Sequence, residues 1–164
     1  MQTKKLTMSA LLIAIGVVAG NIIYIPVGVS KCFPIQHLIN VLSAVILGPT
    51  YAVLNAFVIS LIRNILGTGS LLAFPGSMIG AFLAGIMFKK TRSKLYAVVG
   101  EIFGTGILGG IVAYPIAKFI MGKEVAVFFF VIPFLISTVG GSIIAYAVLT
   151  VFEKTKILSK YTQI

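Results

Sequence analysis

Gln36, His37 and Asn40 are the side chains best placed by type and spacing to hold a small polar molecule. Gln36 and Asn40 are four apart and share a helical face, and His37 flanks Asn40 at three apart. Two amides and an imidazole supply both donors and acceptors, enough for the polar edge of a small-molecule pocket. The same trio could instead hydrogen-bond a neighbouring helix, and its residue types do not separate the two readings. Arg63 and Asn64 form a second polar pair; Arg63 either snorkels to an interface and anchors the helix, or caps a pocket, or holds the turn between Leu66 and Pro75 through backbone carbonyls. Glu101 is an isolated acid, expected to sit near a helix N-terminus with Lys94 or Arg92 for company. The aromatics Phe33, Phe74, Tyr114 and Phe128 to Phe130 are either an interfacial belt or the apolar wall of a site for a flat ring.

Several chemistries are excluded by what the chain lacks. There is no Walker A pattern for ATP, no His-Glu-x-x-His and no Gly-x-Ser-x-Gly. One histidine, three acidic residues and one cysteine leave most metal and acid–base schemes short of parts. The expectation is a binding protein without cofactor or metal, not an enzyme.

The elements that must position these residues are membrane helices. Of 164 residues 59% are hydrophobic and only 10% charged, against about 25% charged in an ordinary soluble domain. A single core cannot hide that much apolar side chain, so lipid must cover the rest. The fold class is an all-α membrane protein, a six-span helical bundle with runs at 6–24, 35–47, 51–66, 71–88, 95–120 and 125–152, in one integral membrane domain over 1–164. The first run is read as a retained span rather than a cleaved signal, because only further apolar runs follow it. The stretch from Ile25 to Pro34 reads as an apolar loop. The second and third runs are short for a bilayer, which leaves four or five spans as the alternative.

Thirteen Lys and Arg face three Glu, a formal charge of +10. In a soluble protein that excess would point to nucleic acid; here the basic residues sit mostly in gaps between apolar runs, so orientation and anionic lipid explain them and no nucleic acid is expected. With six spans, nine basic residues (Lys4, Lys5, Lys89, Lys90, Arg92, Lys94, Lys154, Lys156 and Lys160) share one side and four (Lys31, Arg63, Lys118 and Lys123) the other. The positive-inside rule then puts both termini in the cytoplasm of a multi-pass cell-membrane protein. In the first run Ala10 and Ala14, and Gly16 and Gly20, are small pairs four apart; such spacing packs a helix against a neighbour of its own chain or against another protein.

Two stretches carry a resemblance. Lys31-Cys32-Phe33-Pro34-Ile35-Gln36-His37-Leu38-Ile39-Asn40-Val41-Leu42, followed by Leu47-Gly48-Pro49, resembles the ThiW family, as does Arg63-Asn64-Ile65-Leu66-Gly67-Thr68-Gly69-Ser70 running on through Phe74-Pro75-Gly76-Ser77-Met78. The likeness extends over roughly residues 6 to 152. It implies a substrate-binding S component of an energy-coupling factor (ECF) vitamin transporter, with a six-span bundle of that type. It implies a site beneath the loop after the first span, a transmembrane coupling protein and two ATPase subunits as partners, and a thiamine precursor, hydroxyethylthiazole, as ligand. It also assigns Ala10 and Ala14 to docking on the coupling protein. The ligand residues expected on this basis are Phe33, Gln36, His37, Asn40, Phe74 and Tyr114. The alternatives are an S component for another vitamin-related substrate such as the pyrimidine precursor, a ligand-free assembly subunit, or a small membrane enzyme acting on lipid.

Overall fold

A computed structural model describes residues 2–27 and 30–155. Lys156 and Lys160, counted above, and positions 28 and 29 of the expected loop lie outside the described residues. Among the described residues six helices make up the bundle: α1 (Gln2–Ile22), α2 (Pro34–Ile46), α3 (Pro49–Ile65), α4 (Ala73–Thr91), α5 (Lys94–Ile120) and α6 (Val131–Lys154).

Proline punctuates the chain. Pro34 and Pro49 sit at the first helical positions of α2 and α3, and Pro75 and Pro133 fall in the first turns of α4 and α6. In a first turn the missing N–H has no intrahelical acceptor to lose. This is why the run expected from Val125 turns helical only at Val131: an earlier start would bury Pro133 in a helix interior, where it breaks a bond and clashes with the preceding turn.

The expected loop at Ile25 to Pro34 is instead a small antiparallel hairpin, β1 (Ile25–Val27) paired with β2 (Ser30–Cys32) in the register Ile25 to Cys32, Pro26 to Lys31 and Val27 to Ser30. Pro26 is tolerated because a two-stranded ribbon has only edges. The hairpin is tied down on α6: Phe33 N–H donates to Ser137 Oγ at 2.8 Å, and Cys32 Sγ lies 3.1 Å from the Pro133 carbonyl.

Three helices, Thr3–Ile22, Lys94–Ile120 and Val131–Lys154, are long and apolar enough to cross a membrane. Their outward faces carry Leu11, Val18, Phe103, Ile132 and Ile143, all exposed, an apolar surface that water would not tolerate on this scale. The chain is a helical membrane protein. α2 has a different status. It is only 13 residues long, about 20 Å, but eleven of those residues are buried. It is the axis of the bundle, and protein rather than lipid covers it.

Close approach of α4 and α5 depends on small residues. Gly104 has no room for a Cβ against Gly80 (2.7 Å to its Cα), and Gly100 none against the Ala84 backbone (2.9 Å). The next contact is Gly109 on Gly76. The α4 positions step by four, but the last α5 step is five. The extra residue is absorbed where α5 widens to π-type turns over Ile102–Gly109, which keeps glycine on the seam.

The start of α1 and the end of α6 lie at one end of the bundle. Ser9 of α1 bonds Asn55 near the start of α3, Pro49 packs on Gly85 late in α4, and Lys94 at the start of α5 pairs with Glu153 at the end of α6. The hairpin, the α3–α4 turn and the α5–α6 connection gather at the other end.

Candidate functional site

At that far end the helices enclose a cavity of about 510 Å³. α2 contributes Gln36 and His37 from its first turn, α3 contributes Arg63 from its last turn, and the hairpin contributes Lys31, with Phe33 just beyond it. The α3–α4 turn supplies Thr68 and Ser70, and α6 supplies Pro133, Phe134 and Ser137.

Two hydrogen-bonded layers hold this wall. In the upper layer Arg63 donates to Gln36 Oε1 (2.8 Å), to Asn21 Oδ1 (3.2 Å) and to the Thr68 carbonyl (3.3 Å). The Phe33 ring covers its guanidinium at 4.1 Å, a cation–π contact. Gln36 Nε2 passes the chain on to Ser60 Oγ (2.8 Å), which meets Ser77 Oγ at 3.2 Å. Asn64 holds the turn by donating to the carbonyls of Ser60 and Ser70. Arg63 is 1% exposed and does not snorkel; it lines the cavity and bonds the Thr68 carbonyl of the turn.

In the lower layer Glu101 is the hub, which corrects the expectation for that residue. Its carboxylate is fully buried, and Oε1 is approached by His37 Nδ1 (2.9 Å), Asn40 Nδ2 (3.0 Å) and Thr105 Oγ1 (2.9 Å). Two helical turns, about 10 Å, separate Glu101 from Lys94, whose ammonium goes to Glu153 and Thr150 instead. The groups within reach of the carboxylate are His37 and Asn40 of α2 and Thr105, one turn further along α5. The contact engages His37 Nδ1 and leaves Nε2 as the ring's second polar atom.

The expected site residues divide. Phe33, Gln36 and His37 line the cavity together. Asn40 lies beneath it, fully buried, with Nδ2 spent on Glu101 and on the Ser77 carbonyl (3.2 Å). Phe74 does not line it: one residue on from the lining Ala73, it is turned about 100° and packs on Phe57 at 5.6 Å between centroids. Tyr114 does not line it either. Its neighbour Ala113 faces inward, and the Tyr114 hydroxyl accepts from Lys118 at 3.3 Å. Of the three consecutive phenylalanines only Phe130 reaches the cavity. Sequence reasoning passed over Asn21, Tyr24, Thr105, Lys123 and Ser137, each isolated in an apolar run or a loop and placed here only by packing. The small pairs of α1 also divide: Gly16 and Gly20 face Ile59 and Arg63 inside, whereas Ala10 and Ala14 point out of the bundle.

A bundle of apolar helices around a cavity lined by both polar and apolar side chains is an architecture suited to holding a small molecule within a membrane. The comparison with protein families agrees: residues 6–155 match the thiamine-precursor transporter protein (ThiW) model, and the chain belongs to that family. It is a transporter component, not an enzyme. No curated protein and no solved structure matches it.

Proposed function

We propose that this chain is the substrate-binding S component of an ECF-type importer and that it takes up hydroxyethylthiazole. In this reading the chain is one domain in the cell membrane, crossing it six times with both termini cytoplasmic. The cavity then opens outward beneath the β1–β2 hairpin, and the ligand enters as the hairpin lifts. The single observation that carries the reading is the placement of the cavity: polar at its floor, roofed by a hairpin, and at the end of the bundle remote from the start of α1 and the end of α6.

The chemistry suits a small heteroaromatic alcohol. Phe33, Phe130 and Phe134 offer apolar ring faces, while Gln36 and the second nitrogen of His37 offer polar partners. Asn40 acts from below by fixing Glu101, which in turn orients His37. A ligand of about nine heavy atoms, at up to about 1.5 kcal/mol each, can still bind at nanomolar concentration. Thiamine itself is cationic, and the cavity wall carries Lys31, Arg63 and Lys123 but no carboxylate, so the precursor is the better match.

Transport energy comes from outside the chain, because it has no nucleotide-binding motif. Ala10 and Ala14, exposed on α1, are the proposed docking face for a transmembrane coupling protein that carries two ATPase subunits.

Calorimetric titration of the purified protein in detergent tests the ligand, with thiamine and the hydroxymethyl pyrimidine precursor as comparators. Heat with the thiazole alone is the expected result. A folded sample silent toward the thiazole, or one that prefers thiamine, would reject it.

A further inference from the structure

The cavity carries charge and room that a neutral thiazole alcohol does not use. Arg63 is shut off from bulk solvent, yet among the described residues it has no carboxylate partner: the two ion pairs are His37–Glu101 and Lys94–Glu153. Its bonds go to neutral oxygens on Asn21, Gln36 and Thr68. A guanidinium has five N–H groups, so two remain beyond these three bonds. Lys31 and Lys123, both exposed, stand at the same cavity, and the lining contains no acid. Glu101 lies below, committed to His37, Asn40 and Thr105. Glu124 follows Lys123 in the chain but does not line the cavity.

A buried cation without a counter-charge is costly unless something supplies one. Arginine cannot shed its proton to escape that cost. An anion bound in the cavity would supply that counter-charge directly at the guanidinium. Size points the same way: a cavity of about 150 Å³ accepts benzene, and this one, at about 510 Å³, has space beyond a five-membered ring and its short arm.

We infer that the cavity is built for a thiazole bearing an oxyanion group, a phosphate monoester or a carboxylate, seated on Arg63 with Lys31 and Lys123 closing over it. This rests on the reading that the cavity takes a thiamine-precursor thiazole, and it narrows that class to its anionic members. The ring lies toward Phe130 and Phe134, and the anionic arm lies toward the hairpin. Arg63 is suited to this because its planar fork meets an oxyanion with two parallel bonds. Lys31 and Lys123 act as mobile point charges at the mouth. The hydroxyethyl compound binds in the same orientation, with its hydroxyl where the anion would sit.

Calorimetry on the purified full-length protein tests this with five probes: hydroxyethylthiazole, its phosphate monoester, the analogue with an acetate arm, and inorganic phosphate and acetate alone. At low salt at least one anionic thiazole should bind about tenfold or more tightly than the alcohol, and the margin should shrink at high salt. Which of the two binds tighter identifies the group. Lys123→Gln, on an exposed loop and so unlikely to disturb folding, should reduce the anion-to-alcohol ratio, and Arg63→Gln should reduce it further. An alcohol that binds as well as both anionic thiazoles overturns the inference and leaves the thiazole reading standing. Inorganic phosphate binding with no thiazole bound keeps the anion site and rejects the thiazole. Silence toward all five rejects both.

Discussion

Replacing Glu101 by alanine removes the oxygen on which three buried donors converge. His37 Nδ1 has no other acceptor among the described residues, so it bears the full cost of an unmade buried bond, about 1–3 kcal/mol. Asn40 keeps the Ser77 carbonyl and forfeits a net bond of about 1 kcal/mol, whereas the single Thr105 hydroxyl proton can turn wholly to the Gly76 carbonyl and loses little. The expected destabilisation is about 3 kcal/mol in total. Glu101→Gln keeps one oxygen for the same donors and should lose much less. His37→Ala removes the donor that suffers most, so adding it to Glu101→Ala should cost less than the two single losses together, by about 2 kcal/mol. Reversible denaturation of detergent-solubilised protein measures all four forms, and ligand titration in parallel reads the freed imidazole as weaker binding. Strict additivity of the two alanine variants would refute the hub. So would a Glu101→Ala protein within about 1 kcal/mol of the parent.

The α4–α5 seam makes a second case. A methyl on Gly80 would collide with Thr105 Oγ1 and lie 2.7 Å from Glu101 Oε2, so Gly80→Ala should cost about 1–3 kcal/mol and lower the thermal midpoint; an unchanged midpoint would mean the helices are further apart than described. Bulky residues at Ala10 and Ala14, exposed on α1, should abolish uptake in cells that hold the energising subunits while ligand affinity in detergent stays intact, and sustained uptake would remove the docking face. Cys32 is 2% exposed under the hairpin, and burial raises its thiol pKa. Maleimide labelling should therefore be slow at neutral pH, climb only above the ordinary thiol range of about 8.5, and slow further when ligand holds the hairpin down. Fast labelling that ligand does not alter would show that the hairpin is no lid.

Several of these features were open to inspection before any coordinates. Gln36 and His37 stood out because polar residues in an apolar run must find a partner or a ligand. Their placement at the start of α2 followed from Pro34, since proline marks a first turn. The turns at Gly48-Pro49 and Gly67 to Ser70 were equally plain. Phe74 and Tyr114 misled for one reason. An aromatic's type says that it wants an apolar surface, but a rotation of about 100° per residue decides whether that surface is the cavity or the outside, and no periodicity in a run that is apolar all round reveals the angle. The hairpin escaped notice because β1 and β2 have three residues each, too few for an alternation to register.

Composition by itself determined the solvent of this protein: with so few charges and so much apolar side chain, lipid had to be part of the fold. Proline and glycine positions determined where its helices break, because those constraints are local to the backbone. The tertiary structure alone decided which polar residues meet. His37 and Glu101 are 64 residues apart in the chain, and Arg63 reaches both Asn21 and Gln36 from a helix end that looked interfacial. A buried charge is satisfied by whatever donors and acceptors the packed helices bring within about 3 Å, and that is a property of helix rotation and approach rather than of local sequence. Glycine at the α4–α5 seam sets the approach. The π-type turns of α5 set the rotation, and together they put Glu101 under the cavity.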